Sequence, residues 1–157
     1  MSTSDELRQA NERYASGFSS GDLAAPPRKR LAVVTCMDAR LDPAKFLGLQ
    51  EGDAHVIRNA GGLVTDDALR SLVISHHLLG TQEALVVAHD DCGMLTFRNE
   101  DLQERLDTDL DFHPFDDLEQ SVRDSVRRIA ESPLLPDSFG ARGYVYDVRT
   151  GRLREVA

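Results

Sequence analysis

Three side chains of this sequence could converge on a metal ion. Cys36 ends one apolar run, His89 ends another, and Cys92 follows His89 by three residues, a spacing that lets one turn aim both at a single ion. Two thiolates and an imidazole suit tetrahedral zinc. Structural zinc sites usually take four Cys or His ligands. Here only three stand out, so a fourth position is left for water or a carboxylate, the arrangement of a catalytic site. Asp38 and Arg40 lie just past Cys36. Alternate side chains of an extended backbone point the same way. Asp38 could therefore reach the ion or its water, and Arg40 could clamp Asp38 through two parallel hydrogen bonds. Two thiolates offset much of the ion's charge, which makes it a weaker Lewis acid than one held by three neutral imidazoles. A carboxylate that accepts the water's hydrogen bond would orient it and receive its proton.

Each of these residues has a plainer reading when taken alone. The cysteines could be buried core thiols, His89 a core histidine, and Asp38–Arg40 an ordinary salt bridge. Their convergence favours the metal reading. Asp90 and Asp91 flank the ligands and are read as facing solvent or capping the loop. His55, His76, His77 and His113 receive no role; His76 and His77 are adjacent, and adjacent helical positions do not share a face.

The elements that must position these groups read as alternating strands and helices. Leu31 to Thr35 and Ala84 to Ala88 are short apolar runs, as expected of strands buried on both faces of a parallel sheet. Ala54 to Ile57 is a further short strand, running into Arg58-Asn59-Ala60-Gly61-Gly62. Helices are predicted over 5–18, from Asp42-Pro43, over 66–79 with Thr65 as cap, and at about 98–110 and 116–131. The helix over 66–79 carries apolar residues around so much of its circumference that it should be largely buried. A late strand falls at 143–148, and a short edge piece at 153–156. Strands alternating with helices imply βαβ units, so the fold class is α/β. The expected core order is 2-1-3-4, which places Cys36 and His89 at neighbouring strand ends, where open α/β sheets bind their ligands.

The chain has 157 residues, 41% of them hydrophobic and 29% charged, which fits one globular domain spanning 1–157. Its net charge of −9 argues against nucleic acid, which needs clustered cations. Arg28-Lys29-Arg30 is too short to make a binding face. No apolar stretch is long enough to span a membrane, and the N-terminus lacks the pattern of a secretory signal. The expected location is the cytoplasm, where a pair of cysteines favours metal binding or catalysis over a disulfide.

Taken together, Cys36-Met37-Asp38-Ala39-Arg40, Arg58-Asn59-Ala60-Gly61-Gly62 and His89-Asp90-Asp91-Cys92-Gly93 resemble the C-x-D-x-R, R-N-A-G and H-x-x-C-G blocks of the β-class carbonic anhydrases, in the same order and at similar separations. The resemblance implies zinc, one per subunit, on Cys36, His89 and Cys92, with Asp38 as a possible fourth ligand in a closed state. It implies a catalytic dyad of Asp38 and Arg40. Asn59, Gly61 and Gly62 would form part of the pocket wall, where glycine permits close backbone approach. The implied reaction is hydration of carbon dioxide to bicarbonate and a proton by zinc-bound hydroxide. The implied assembly is a homodimer or homotetramer in which the N-terminal helix packs on the partner subunit. The chain contains no tryptophan, so the inhibitory bicarbonate pocket that some bacterial members build around one is absent in that form. Carbonyl sulfide and carbon disulfide hydrolases resemble the same family and use the same motifs. A zinc-stabilised binding protein without catalysis is the remaining alternative.

Overall fold

A computed structural model describes residues 2–157. The chain runs α1 (Thr3–Ser16), β1 (Leu31–Cys36), α2 (Pro43–Leu47), β2 (Ala54–Asn59), α3 (Asp66–Leu79), β3 (Glu83–His89), a 3-10 turn (Gly93–Leu95), α4 (Asn99–Leu106), α5 (Leu118–Ala130), β4 (Gly140–Tyr146) and β5 (Leu153–Glu155). The strands form one five-stranded sheet in the order β2-β1-β3-β4-β5. The first three pairings are parallel, and β5 closes the edge antiparallel to β4. The core order 2-1-3-4 expected from the sequence is the observed one.

The two central strands form where apolar runs escape water on both faces. Ala32 to Cys36 of β1 are all buried, and so are Val86 to His89 of β3. Thr35 is the polar interruption, and its buried hydroxyl donates to the Val87 carbonyl at 2.7 Å. One side of the sheet packs Ala32, Val34, Ala84, Val86 and Ala88 against Ala68 and Leu72 of α3 and Val122 and Ile129 of α5. Near the strand ends a second cluster surrounds Cys36 and Cys92 with Leu41, Met94, Phe46, Phe97, Phe115, Tyr146 and Val148.

Local chemistry sets the helix ends. Ser2 and Asp5 form a reciprocal capping box that starts α1. The Asp42 side chain accepts from the Lys45 N–H to start α2 after Pro43 enters the first turn, and Thr65 caps α3 in the same way. Several elements differ from expectation. The helix expected over 98–110 stops at Leu106, because Asp107 turns left-handed at φ 51°. The late strand covers 140–146 rather than 143–148, since Asp147 accepts backbone hydrogen bonds from Arg149 and Thr150 and starts a turn. The α3 helix is not largely buried: Ala68, Leu72 and Ser75 are, whereas Ile74 is 40% exposed and Leu78 is 76% exposed. Its inner stripe meets the sheet, and Ile74 and Leu78 lie on a face that stays exposed. The α1 helix has no buried residue; Leu7, Tyr14 and Phe18 are exposed, and Tyr14 is tied to the body by a hydrogen bond to Glu51 of 2.7 Å.

Candidate metal centre

Cys36 is the last residue of β1, and His89 is the last residue of the adjacent β3. The chain turns after His89 and brings Cys92 back beside both. One ligand atom from each of the three lies within 4.8 Å of the others, and all three residues are buried. The His89 Nδ1 lies 2.7 Å from the Asp90 carbonyl. A carbonyl only accepts, so Nδ1 carries the proton and Nε2 presents a lone pair. That Nε2 is buried without a hydrogen-bond partner. Buried polar nitrogens are rarely left unpaired in folded proteins, and this one sits beside two sulfurs and a carboxylate. The donor set and the unpaired nitrogen together fit a metal ion.

The electrostatics prepare the same site. The hydrogen bond from Cys92, helped by His89 and backbone N–H groups, draws the Cys36 thiol down to about 4 despite its burial. The shared hydrogen bond, together with burial, pushes Cys92 up. The pair thus favours one thiolate, on Cys36, over two. Burial works against protonation of His89, but the neighbouring Cys36 sulfur, the Asp90 carbonyl and the Asp38 charge outweigh it, and the ring sits above its ordinary value.

Asp38 stands at the rim, its Oδ2 3.7 Å from His89 Nε2. Both of its oxygens are engaged by Arg40: Nε donates to Oδ1 at 3.0 Å and Nη2 to Oδ2 at 2.8 Å. The Arg40 backbone N–H adds a third bond to Oδ1 at 2.8 Å. The Arg40 side chain, then its backbone N–H, hold Asp38 well below the usual carboxylate range. The paired carboxylates in turn raise Arg40.

Asn59 pairs with Cys36 across the β1–β2 ladder. Its amide turns back on its own loop, donating to the Leu63 carbonyl at 2.8 Å and accepting from the Leu63 N–H at 2.9 Å. It therefore holds the 59–63 turn in shape. Within that turn Gly61 and Gly62 have φ of +88° and +65°. A Cβ on Gly62 would lie 2.8 Å from the Cys36 backbone nitrogen, and one on Gly61 would lie 3.0 Å from Phe115 and 3.1 Å from Met94.

Several residues that the motifs contain make contacts that their type and spacing did not reveal. Arg58 donates to the Cys36 carbonyl at 2.9 Å and to the Asp38 carbonyl at 2.8 Å, which fixes the backbone between them. The Asp90 carboxylate accepts from the Val148 N–H at 2.8 Å and so ties the ligand loop to the turn after β4. Asp91, exposed as expected, also pairs with Arg40, at 2.8 Å. His55, His76, His77 and His113 lie outside the Cys36–His89–Cys92 group. His55 instead starts a chain of hydrogen bonds through Ser75 to Thr81 at the opposite end of the sheet.

Residues 31–112 match the family model described as carbonic anhydrase. The whole chain is similar to β-carbonic anhydrase 1 of Mycobacterium tuberculosis, with 47% identity over 99% of both chains. Its structure resembles that of the carbonic anhydrase from Streptococcus mutans, with 48% identity, a TM-score of 0.93 and coverage of 100% of this chain and 99% of the other. A carbon disulfide hydrolase from an Acidianus strain is 36% identical over 83% of this chain and 78% of its own length.

Proposed function

The chain belongs to the β-carbonic anhydrase family, and from that premise we propose that it catalyses the reversible hydration of carbon dioxide with one zinc ion per chain held by Cys36, His89 and Cys92. The observation that carries this reading is the buried, unpaired Nε2 of His89 facing two cysteines while Arg40 holds the nearby Asp38 by both oxygens. Zinc held there would supply a Lewis acid that lowers the pKa of water; three histidine ligands bring it to roughly 7 in another carbonic anhydrase, and two thiolates would make the ion a weaker acid than that.

The chain's own residues do the rest. Asp38, which Arg40 holds well below the usual carboxylate range, would accept a hydrogen bond from the attacking water and align it, while the proton leaves to buffer. Arg40 keeps Asp38 ionised and keeps both of its oxygens occupied, so that the carboxylate does not take the place of the water. A purely structural zinc site has no use for such a clamp, which weighs against a non-catalytic binding protein. Gly61 and Gly62 let the backbone approach a small substrate closely, and Asn59 holds that turn in place. The neighbouring Met94 and Phe115 offer an apolar wall suited to an uncharged gas.

Carbon disulfide is the second substrate to weigh, because a relative at 36% identity carries that activity in its name. The deciding experiment is stopped-flow carbon dioxide hydration by the zinc-loaded protein, run beside sulfide release from carbon disulfide and carbonyl sulfide. Hydration should dominate. Rapid sulfide release with negligible hydration would overturn the assignment.

The assembly we propose is a homodimer or a tetramer built from such dimers, with α1 packed on the partner subunit. The exposed Leu7, Tyr14 and Phe18 support it. No helix of the described residues is long and apolar enough to cross a membrane. Cytoplasmic residence is proposed because the site needs both cysteines as thiolates, which reducing conditions preserve.

A further inference from the structure

Arg40 does more than grip Asp38. Its Nε and Nη2 face Asp38, while Nη1 donates to Asp91 Oδ2 at 2.8 Å and Nη2 also donates to the Asp91 carbonyl at 3.0 Å. The two carboxylates therefore take different edges of one planar guanidinium and do not compete for the same N–H. Asp38 follows β1 and Asp91 precedes Cys92 in the loop after β3. Arg40 accordingly bridges the loops that follow β1 and β3, the two strands whose last residues are Cys36 and His89. Asp91 has a left-handed backbone, φ 53°, a conformation that non-glycine residues seldom adopt and that Asp tolerates better than most. That conformation accompanies the contact of both its carbonyl and its carboxylate with Arg40.

We infer that Asp91 is a positioning residue: it fixes the Arg40 guanidinium at its far end, so that Arg40 holds both oxygens of Asp38 away from the metal ligands. Without it, an arginine that is already half-exposed, at 47%, samples other rotamers, and Asp38 gains freedom to turn towards the ligands it nearly touches. The clasp rests on the carbonic anhydrase reading for its effect on turnover, but not for its existence.

The test removes the carboxylate in two ways. Asp91→Gly suits the left-handed backbone, and Asp91→Ala checks that added loop freedom is not the cause. Asp91→Asn keeps an oxygen for Nη1 and also tolerates the conformation. Nitrogen-15 NMR of the arginine side chains is read with and without zinc. Separate Nη signals for Arg40 are expected in the unaltered protein and in Asp91→Asn, and averaged signals in the other two. At full zinc occupancy, kcat should fall about three- to fivefold in Asp91→Gly and Asp91→Ala, the size of an exposed ion pair. KM should stay within about twofold and Asp91→Asn should restore most of kcat, as expected when an orienting contact is lost and regained. In an Arg40→Lys background the Asp91 substitutions should add nothing further. Unchanged Arg40 signals in Asp91→Gly and Asp91→Ala would overturn the inference. So would an unchanged kcat, or an equal penalty in the Arg40→Lys background. Failure of the unaltered protein to hydrate carbon dioxide would overturn the functional reading instead, and the NMR comparison would still decide the clasp.

Discussion

Replacing Gly62 by alanine should damage the metal centre without touching a ligand. The added Cβ would lie 2.8 Å from the Cys36 nitrogen, 2.9 Å from the Thr35 carbonyl carbon and 3.2 Å from the Thr35 Cα. All three are backbone atoms of a buried central strand, so no side chain can swing aside to relieve the contact. The residue must also hold φ +65°, which costs a non-glycine residue about 1–2 kcal/mol. Forcing extra volume into a packed interior costs about 1–3 kcal/mol more. The total is about 2–5 kcal/mol, a large share of the stability of an ordinary domain. Gly48 supplies the control: its φ is also +65°, yet its Cβ would meet nothing within 4 Å. Gly48→Ala should therefore cost only the conformational part, about 1–2 kcal/mol. In thermal unfolding of the metal-free proteins, Tm should fall by about 4–20 °C for Gly62→Ala and by about 2–8 °C for Gly48→Ala. The excess in Gly62→Ala presses on the main chain of Cys36. If about 1.4 kcal/mol of it reaches the ligand, zinc affinity falls about tenfold, whereas Gly48→Ala should bind zinc normally. Equal Tm losses and equal zinc affinities for the two substitutions would refute the argument, because Gly62 would then be needed only for its φ.

Cys36→Ala and His89→Ala should both lose zinc on dialysis, measured as metal per chain, while Asp38→Ala should retain zinc and lose about a hundredfold in turnover, the scale of a misplaced reacting group. Full turnover in zinc-loaded Asp38→Ala would break the proposed role of that carboxylate. In the metal-free protein, thiolate absorbance near 240 nm should show one thiolate per chain at neutral pH, lost only as pH falls towards about 4, the value to which the hydrogen bond from Cys92 draws Cys36. Cys92 is pushed the opposite way, so the second thiolate should be missing even above the ordinary thiol range; two thiols titrating together near 8.5 would contradict this. Replacing Leu7 and Tyr14 of α1 by serine should shift the protein towards monomers in light scattering, and an unchanged assembly would show that α1 does not carry it.

The strands that hold the site were legible because burial on both faces leaves an unmistakable apolar run. Cys36 and His89 fall at the ends of β1 and β3 as the pattern demanded. Helix boundaries were less legible where a single residue decides them, as with the left-handed Asp107. The α3 helix shows a different limit. Apolar residues around a helix announce that water is unwelcome, but not whether the cover comes from the same chain, and Ile74 and Leu78 remain exposed here. At the site, residue types named the donors, while the supporting bonds stayed hidden. The contacts of Arg58 with the Cys36 and Asp38 carbonyls are to backbone groups that every residue shares. The Arg40–Asp91 pair joins residues far apart in the chain, and only the parallel pairing of β1 with β3 makes them neighbours.

That pairing also governs when the metal can be captured during synthesis. His89 and Cys92 emerge together, but Cys36 ends β1, whose partner β3 is made only after α2, β2 and α3 have been completed. Until the β1–β3 crossover closes, the chain offers at most a two-donor trap, with weak hold on any cation. Non-local strand pairing of this kind is slow compared with helix formation. Metal loading should thus be a late event that follows sheet assembly, and a chain stalled before β3 should emerge from the ribosome without its ion.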